Sequence, residues 1–323
     1  MKMRIAIAGL GIAGSYLYRL LSKEGYHADV YEIRKNTHCG LHPCAWGTSQ
    51  EFTDLVREAG LDPDQYILAR FETLKLDEVS VPADIMTFNK PQLVKDLSES
   101  ADILYTPLNP KEYDRIIDAT GVARAYLTPI KPDVIINCKQ MRLVSRTPPE
   151  LLMRPGGGGY AWSFPLGGNE VHVGCGCLHG DPEKILNHFE LPGDRFEDII
   201  CGCSGQVRLT GPRGSRPFFV RGTPDVWGVG EAIGCVAPLA GDGVLSGMAS
   251  TKILLNNWEN PEGYTRAILK EFKWMESERR VVDKIVARKS LGLGDARVIL
   301  ENSGRMGIRI GMIDALILAR ALL

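Results

Sequence analysis

The stretch Gly230-Glu-Ala-Ile-Gly-Cys-Val-Ala-Pro-Leu-Ala-Gly-Asp-Gly-Val244 decides the fold of this chain. It follows a short apolar strand pattern, Asp225 to Val229, and it runs into a helix pattern that begins near Gly243. A strand, a glycine-rich loop and a helix N-terminus in succession bring bare backbone N–H groups up to an anionic ligand. The residues of this stretch that we assign to ligand binding are Gly230, Glu231, Pro238, Gly241, Asp242, Gly243 and Val244.

The first residues of the chain predict the other half of the same site. Met3 to Ala8 is an apolar run typical of a central parallel strand, and Gly9-Leu-Gly-Ile-Ala-Gly14 opens a helix pattern. The first glycine permits the turn, the second lets a pyrophosphate approach the backbone, and the third lets helix and strand pack closely. A second strand pattern ends at Glu32, whose carboxylate suits a pair of ribose hydroxyls. The residues assigned here are Gly9, Gly11, Ile12, Ala13, Gly14, Glu32, Ile33 and Arg34.

A third strand pattern, Tyr113 to Asp118, ends in the small residues Ala119, Thr120 and Gly121. Small residues are needed at such a strand end because the adenosine half of a dinucleotide lies against it. Residues near both ends of the sequence are thus predicted to form one nucleotide-binding site. This arrangement indicates a large, tightly held cofactor, and FAD fits best.

From Lys131 the pattern changes to alternating strands separated by turns, which predicts an antiparallel sheet inserted into the nucleotide-binding part. In Tyr160-Ala-Trp-Ser-Phe-Pro165 the three aromatic side chains share one face of a strand. On the next strand Val171, Val173, Cys175 and Cys177 also share a face. Two such faces form either the floor of a site for a long apolar ligand or the core of the sheet.

The predicted fold class is therefore α/β, with a Rossmann-like FAD-binding domain, an inserted antiparallel-sheet domain and a C-terminal helical region. The FAD-binding domain is predicted to be discontinuous, from residues 1–48, 84–130 and 222–258. The substrate domain takes residues 49–83 and 131–221, and the helical region takes residues 259–323.

Composition excludes several function classes. Lys and Arg number 38 against 39 Asp and Glu, a formal net charge of −1 with mixed signs, so nothing points to nucleic acid. The sequence shows neither a secretion signal nor an apolar run of about 20 residues, so we expect a cytoplasmic protein. Its eight cysteines are then expected to be free thiols. The Cys-x-Cys pairs Cys175/Cys177 and Cys201/Cys203 match no usual zinc spacing, and we expect no metal.

The C-terminal region is predicted to be helical. Tyr264 to Ala287 has an apolar stripe at helical spacing and is predicted as one long helix. The apolar segment Ile308 to Leu323 is too short to span a bilayer. It is either a helix packed on the body, which we favour, or an anchor on the inner face of the membrane.

The loop from His38 to Gly47 holds two histidines and two cysteines. A metal site is one interpretation, but Cys-x4-Cys with an enclosed histidine is not a usual zinc spacing. A loop that follows the second strand of a dinucleotide fold lies beside the cofactor. The sharper prediction places Cys44 near a flavin ring, and a buried structural thiol is the alternative.

With these motifs placed, the sequence resembles the geranylgeranyl reductase family of FAD enzymes, in the larger group that includes the aromatic hydroxylases. The two glycine motifs and Asp118-Ala-Thr-Gly121 carry the resemblance to the FAD fold. Tyr160-x-Trp-x-Phe-Pro165 is similar to the family signature that lines the isoprenoid site, and Pro43-Cys44 is similar to its cysteine loop. There are departures: Glu231 stands where the family has Asp, and Asn89-Lys90 stands where an Arg is common.

The resemblance implies reduction of carbon–carbon double bonds in a geranylgeranyl-type chain, in archaeal-type membrane lipid or prenyl lipid metabolism. The implied catalytic residues are Cys44, His42 and Tyr160. The proton donor is His42, Tyr160 or a buried water. The electron donor stays open among ferredoxin, NAD(P)H and a deazaflavin. Alternatives are a flavin-dependent monooxygenase or halogenase, a non-redox cyclase, and an electron-carrying flavoprotein without a substrate. The residues assigned to the substrate are Tyr160, Trp162, Phe164, Pro165, Val173 and Cys175.

Overall fold

Two β-sheets with helices around them form the architecture of the chain in this computed structural model, which describes residues 3–33, 44–77, 79–156, 158–188 and 196–322. In chain order the strands are β1 Ile5–Ala8, β2 Ala28–Tyr31, β3 Gly47–Ser49, β4 Ile67–Leu76, β5 Val79–Phe88, β6 Ile103–Leu104, β7 Arg115–Asp118, β8 Ile135–Ser145, β9 Leu152–Gly156, β10 Gly159–Pro165, β11 Glu170–Cys177, β12 Phe196–Arg208, β13 Phe219–Val220 and β14 Asp225–Gly228. The helices are α1 Ile12–Lys23, α2 Glu51–Glu58, α3 Lys90–Leu97, α4 Pro182–His188, α5 Gly211–Gly214, α6 Val244–Leu255, α7 Pro261–Glu271, α8 Met275–Val286, α9 Leu293–Ser303 and α10 Met312–Ala321.

The first sheet joins the two ends of the nucleotide-binding pattern. Its strand order is β13-β14-β7-β1-β2-β6, and every pair is parallel except the edge pair β13/β14. Ala8 pairs with both Tyr31 and Asp118, and Asp118 pairs with Gly228, so the carboxyl ends of four strands meet at one edge. In doubly wound sheets this edge is where ligands bind.

Helices α1 and α6 cover this sheet because their apolar faces share its core. Ile7, Leu17 and Leu254 have no exposed surface and belong to one buried cluster with Trp227. Strands buried in this way read as continuous apolar runs, as β1 and β7 do. The two glycine motifs are thereby brought to the same edge of the sheet from opposite ends of the chain.

The second sheet has eight strands in the order β12-β8-β11-β10-β9-β4-β5-β3, antiparallel except for the pair β4/β9. The predicted fold class is confirmed. Strand β9 is not foreseen in the sequence. The alternating pattern predicts a strand over Gln206 to Thr210, whereas β12 begins at Phe196 and ends at Arg208. Both additions lengthen the sheet that faces the nucleotide edge.

The predicted domain division stays a prediction, and two strands cross its boundaries. Strand β5 runs through the boundary between residues 83 and 84, and β3 lies across the one between 48 and 49. Both strands pair within the eight-stranded sheet. Residues 47–48 and 84–88, which the prediction assigns to the FAD-binding domain, therefore pair in the eight-stranded sheet, and the first 90 residues change sheet once, after β2.

The prediction of one long helix from Tyr264 to Ala287 is wrong. The chain forms α7 and α8 with a turn at residues 272–274, although no glycine or proline marks the break. Tyr264 and Ile268 of α7 belong to the core of the parallel sheet, whereas Val282 of α8 belongs to the core under the eight-stranded sheet. The turn lets consecutive helices pack into two different cores.

Helix α10 packs on the body, as favoured for the C-terminal apolar segment. Ala315 and Ala319 are buried against Ala296 of α9, and Leu318 packs against the cluster that contains Trp162. Among the described residues, no helix has the length and apolar character needed to cross a membrane.

Candidate active site

A cavity of about 290 Å³ lies between the carboxyl edge of the parallel sheet and the eight-stranded sheet. All three parts of the predicted nucleotide site reach it. The motif residues on its wall are Gly11, Ile12, Ala13, Ala119, Thr120, Gly121, Gly230, Glu231, Pro238, Gly241, Asp242, Gly243 and Val244. The structure thus brings together segments that lie more than 200 residues apart in the chain.

The three glycines of the first loop have different surroundings. A Cβ on Gly9, whose φ is +98°, would lie 2.5 Å from the Ala119 carbonyl oxygen, and one on Gly14 would lie 2.0 Å from the Gly9 carbonyl oxygen. A Cβ on Gly11 would meet nothing within 4 Å. Gly9 and Gly14 are therefore required by packing of the chain on itself, whereas Gly11 borders open space. That is the arrangement expected of a loop that cradles a pyrophosphate.

The starts of α1 and α6 both border the cavity and suit an anion. At α1, Gly11 provides no side-chain cap and the first turn holds no acidic residue. At α6 the Asp242 carboxylate accepts the Val244 N–H at 2.9 Å, and the other N–H groups of the first turn have no side-chain partner among the described residues. Two 12-residue helices thus present backbone N–H groups and the positive ends of their dipoles to one space. The residues present fit the phosphates and the ring system of a dinucleotide.

Glu32 supports the first loop from behind. Its Oε2 accepts a hydrogen bond from the Leu10 N–H at 3.0 Å, and its own N–H donates to the Leu104 carbonyl at 3.1 Å. The carboxylate therefore holds the backbone of the glycine loop in addition to any ribose contact. Ile33 is exposed beside it, and Arg34, also assigned to the cofactor, lies outside the described residues.

Asp118 organises the second loop. Its carboxylate accepts hydrogen bonds from the N–H and the hydroxyl of Thr120, at 3.1 and 2.6 Å, and from the N–H groups of Tyr126 and Leu127. The side chain is fully buried. Asp118 thus fixes the loop whose residues Ala119, Thr120 and Gly121 reach the cavity.

Arg208 joins the second loop to the third, and sequence reasoning missed it. Its guanidinium donates to the carbonyls of Gly121, Val122 and Glu231, at 3.3, 2.7 and 3.0 Å, and pairs with Asp133 at 3.1 Å. Glu231 in turn accepts the Arg208 N–H at 2.7 Å, and burial raises the pKa of its carboxyl. Arg208 ends a strand with no motif around it, so nothing in the sequence signals this role.

The loop before α6 is held by hydrogen bonds to two side chains, one from the eight-stranded sheet and one from α8. The Tyr160 hydroxyl donates to the Ala240 carbonyl, and the Leu239 N–H donates to Glu278 Oε2 at 3.1 Å. Tyr160 belongs to the eight-stranded sheet, whereas Glu278 comes from α8. Burial raises the pKa of the Glu278 carboxyl from 4.5 to about 7. Glu278 is a second contributor to the site that the sequence does not indicate.

Tyr160, Trp162 and Phe164 form one wall of the cavity, on the shared face that the sequence predicts. The Trp162 indole N–H donates to Gln140 Oε1 at 3.1 Å, which satisfies its polar atom away from the cavity. A Cβ on Gly47 would lie 2.3 Å from the Phe164 ring, so β3 packs directly on this wall. Pro165 contributes through its carbonyl, which accepts the Thr87 hydroxyl at 2.7 Å.

The prediction that the next strand adds Val173 and Cys175 to the same floor is wrong. In the observed register Trp162 pairs with Gly174 and Tyr160 with Gly176, so Val173 and Cys175 point to the opposite face. There they are buried with Leu186 of α4, and the Cys175 thiol donates to the Pro182 carbonyl at 2.9 Å. Glycines face the aromatic wall because Trp162 leaves no room for a side chain: a Cβ on Gly174 would lie 2.5 Å from its ring.

Cys44 lines the cavity, and the loop that carries it is held from outside. Trp46, in the left-handed region at φ 60°, packs edge-on against His172 with ring centroids 4.4 Å apart. His172 Nδ1 lies 3.4 Å from the Ala45 carbonyl oxygen, and burial lowers the pKa of this imidazole to about 4. The neutral ring therefore braces the loop. His42 lies outside the described residues, so its predicted role has no structural account.

Lys90, at the start of α3, supplies the cavity with a cation. The structure gives its half-buried side chain no hydrogen-bond or ion-pair partner among the described residues. Burial raises the pKa of the Glu231 and Asp242 carboxyls, and the charge of Lys90 opposes that rise. A cation with no direct ion pair in the described part of the chain, beside two helix N-termini, strengthens the case for an anionic ligand. Sequence reasoning noted Asn89-Lys90 as a departure from the family and did not assign Lys90 to the cofactor.

Comparisons with known proteins support the fold. An uncharacterised protein of Methanocaldococcus jannaschii is 23% identical over 337 aligned positions, which cover 87% of this chain and 91% of the relative. A geranylgeranyl bacteriochlorophyll reductase-like protein from Thermoplasma acidophilum superposes with a TM-score of 0.73 at 18% identity, over 98% of this chain and 95% of that one. No protein-family model matches.

A probable FAD-dependent monooxygenase from Pseudomonas aeruginosa superposes with a TM-score of 0.58 at 15% identity, over 92% of this chain and 99% of that one. At such identities the likeness establishes the fold alone. The chain has the fold of these flavoproteins, which confirms the resemblance at the level of structure.

Two glycine substitutions should separate folding from cofactor binding. Gly14→Ala should lower the free energy of unfolding by about 2 kcal/mol or more, because its Cβ has no room. Gly11→Ala should change that free energy by less than about 0.5 kcal/mol but raise the Kd for FAD at least about tenfold, because its Cβ enters the cradle. Urea unfolding in the absence of cofactor measures the free energy of unfolding, and FAD titration measures the Kd. Equal effects of the two variants on stability would contradict the assignment.

Lys90→Ala should raise the Kd for FAD about tenfold or more, because a charge-assisted contact is lost. Lys90→Arg should retain most of the affinity, and Lys95→Ala, which removes an exposed cation from the same helix, should have no effect. FAD titrations at low and high salt measure this. Identical affinities of the Lys90→Ala and Lys95→Ala variants would remove Lys90 from the site.

Glu278→Gln should raise the free energy of unfolding at pH 8 by up to about 3 kcal/mol, and by much less at pH 4.5. Burial raises the folded-state pKa of Glu278 from 4.5 to about 7, so this group stabilises the fold below pH 4.5 and loses that contribution as pH rises through 7. Glutamine keeps an oxygen for the Leu239 N–H without the charge.

Urea unfolding across pH 4.5 to 8 measures the Glu278 effect, with the exposed Glu271→Gln as control. A stability difference between wild type and Glu278→Gln that does not vary with pH would show that this carboxyl does not titrate in the window.

Proposed function

We propose that this protein is an FAD-dependent oxidoreductase that reduces carbon–carbon double bonds of a long isoprenoid chain. One observation carries the proposal. A single cavity runs from the glycine cradle and Lys90 to the aromatic wall of Tyr160, Trp162 and Phe164. An anionic cofactor and an apolar chain can therefore meet within one enclosed space.

The beginning of the cavity suits FAD in particular. The two helix starts, the open space beside Gly11 and the Lys90 cation match the anionic and ring portions of a large dinucleotide. FAD, when bound and reduced, supplies a hydride to a carbon atom of the substrate. The residues of the chain bind and orient both partners.

The far end of the cavity suits an unactivated apolar chain. Its wall there is made of side chains without charge, among them Ile136, Met153, Leu178, Val282, Ile285 and Leu209. Such a surface holds a hydrocarbon by burial and excludes water from the reacting carbon. A geranylgeranyl-type chain of archaeal-type membrane lipid or prenyl lipid metabolism meets this description.

Cys44 and Tyr160 both line the cavity. The Tyr160 phenol donates a hydrogen bond to the Ala240 carbonyl, and burial raises the pKa of this phenol. It therefore holds its proton tightly and positions the loop before α6. As proton donor to the substrate it would first have to leave the Ala240 carbonyl. In the proposed reaction Cys44 presses the chain toward the cofactor.

The same fold in a probable FAD-dependent monooxygenase makes hydroxylation the second candidate. The two reactions differ in product mass, because reduction adds two hydrogens and hydroxylation adds one oxygen. The electron donor is proposed from three classes, ferredoxin, NAD(P)H or a deazaflavin.

The proposal predicts a yellow protein with flavin bands near 370 and 450 nm, the usual flavin values, that bleach under anaerobic dithionite. Reduced protein given geranylgeranyl lipids should then yield products heavier by two hydrogens per double bond. Trp162→Ala should lower the rate more for long chains than for short ones, because it removes part of the apolar wall.

Each result has a distinct meaning. A product heavier by one oxygen, formed with O2, would replace reduction by hydroxylation. A flavin that bleaches without any product from prenyl lipids would leave an electron-carrying flavoprotein. A colourless protein that takes up no added FAD would overturn the whole assignment.

A further inference from the structure

Helix α10 is apolar on both sides, and the body covers one of them. Ala315, Leu318 and Ala319 face the protein, whereas Ile313 and Ile317 are 74% and 53% exposed. Those two isoleucines lie four positions apart and so share one face of the helix. A surface helix normally carries polar residues on this face, and one that is apolar all round is normally buried.

Other exposed apolar residues lie near this face in the chain. Leu293, the first residue of α9, is 71% exposed, and Met312, the first residue of α10, is 41% exposed. Helices α9 and α10 are in contact with each other. We call the exposed apolar side chains of these two helices, Leu293, Met312, Ile313 and Ile317, the α9–α10 surface.

The segments on either side of α10 reach the cavity. Met306 and Ile308, just before α10, line it, and so does Leu322, just after it. Leu318, on the inner side of the helix, packs on the buried cluster that contains Trp162 and Phe164, two residues of the cavity wall. The helix therefore lies between its own exposed face and residues of the cavity wall.

The charge of the same region is unlike that of the rest of the chain. From Lys284 to Leu322 there are seven Lys or Arg and three Asp or Glu, a formal net charge of +4 in a chain whose total is −1. All three acidic residues are occupied: Asp295 pairs with Lys284, Glu301 pairs with Arg297, and Asp314 accepts the Gly311 N–H.

Four basic residues of this segment have exposed side chains without an ion pair to any described residue. Arg288, Lys289, Arg309 and Arg320 are exposed, and the structure gives none of them an ion pair among the residues it describes. Arg320 follows Ile313 and Ile317 on the outer face of α10. An apolar face with unpaired basic side chains at its edge is typical of helices that lie in the interface of an anionic bilayer.

We propose that the α9–α10 surface docks on an anionic lipid bilayer, with Ile313 and Ile317 among the acyl chains and the four unpaired cations at the headgroups. The lipid substrate then passes beside α10 into the cavity without crossing water. The docking itself stands without the proposed reaction, whereas the route of the substrate rests on it.

Two observations favour a bilayer over a protein partner or a second copy of the chain. The unpaired charge is carried by several exposed, flexible side chains of the same segment, which suits headgroups without fixed positions. Leu318, on the inner side of α10, packs on the cluster whose Trp162 and Phe164 line the cavity. A protein partner and a self-association remain as outcomes of the test.

The test is co-sedimentation of the full-length, FAD-loaded protein with vesicles. Wild type should bind phosphatidylglycerol vesicles, bind phosphatidylcholine vesicles much more weakly, and lose affinity for the former as salt is raised. The double variant Ile313→Gln/Ile317→Gln should bind at least about tenfold more weakly, because two apolar side chains no longer enter the bilayer. Arg309→Gln/Arg320→Gln should reduce both the preference for anionic lipid and the salt dependence.

Ile199→Gln is the matched control, since Ile199 is 68% exposed on the edge strand β12 of the eight-stranded sheet. It should bind vesicles as wild type does. All variants should keep the flavin absorbance and the thermal unfolding midpoint of wild type, which shows that weaker binding does not come from misfolding.

Three results would overturn the docking proposal. Wild type that stays in solution with anionic vesicles would do so, as would equal losses of vesicle affinity in Ile199→Gln and in the double variant Ile313→Gln/Ile317→Gln. A wild type that is dimeric by analytical ultracentrifugation, with a monomeric double variant and no vesicle binding, would assign the surface to a second copy.

The reaction is tested apart from docking, with a short prenyl alcohol that is soluble in water. Vesicle binding with no reduction of that alcohol would leave the docking surface and overturn the proposed reaction. We expect both wild type and the double variant to reduce the alcohol. We expect the double variant alone to lose activity on vesicle-borne lipid. Undiminished activity of the double variant on vesicle-borne lipid would overturn the substrate route.

Discussion

The buried guanidinium of Arg208 is the interaction on which the geometry of the site depends. It reaches from the end of a strand in the eight-stranded sheet to carbonyls of two loops at the edge of the parallel sheet. A planar group with five donors can hold several carbonyls at once, and its ion pair with Asp133 offsets the cost of burying its charge. The Glu231 carboxylate also accepts the Arg208 backbone N–H, so the backbone and the side chain of Arg208 both hold Glu231.

This constraint explains how one cavity can serve two different ligands. The parallel sheet contributes polar backbone groups and the eight-stranded sheet contributes aromatic rings, so the join between them is where an anionic cofactor meets an apolar chain. The loop before α6 strengthens the join, because Tyr160 holds its Ala240 carbonyl and Glu278 holds its Leu239 N–H. A ligand that moves Tyr160 would therefore also move the loop at the start of α6. The C-terminal helices close the far end and, in our proposal, place it against a lipid surface.

The errors of sequence reasoning have specific physical causes. Alternation along β10 and β11 was recognised, but alternation alone does not say which faces of two neighbouring strands coincide. The register that pairs Trp162 with Gly174 turned Val173 and Cys175 away from the cavity. The break between α7 and α8 had no glycine or proline to mark it, because it serves packing into two cores. Lys90, Arg208 and Glu278 sit in segments of ordinary composition, and they become part of the site through contacts made across the fold.

The sequence by itself determined the parallel sheet, its two glycine-rich loops, the strand ends that bear small residues and the shared face of Tyr160, Trp162 and Phe164. These are local features, since a turn that needs glycine or a strand that alternates is written in neighbouring residues. The tertiary structure alone decided which faces meet at the cavity, which buried side chains hold its loops, and that α10 packs on the cluster that contains Trp162 and Phe164. Those features depend on strand register and on contacts between distant segments, and neither leaves a pattern in adjacent residues.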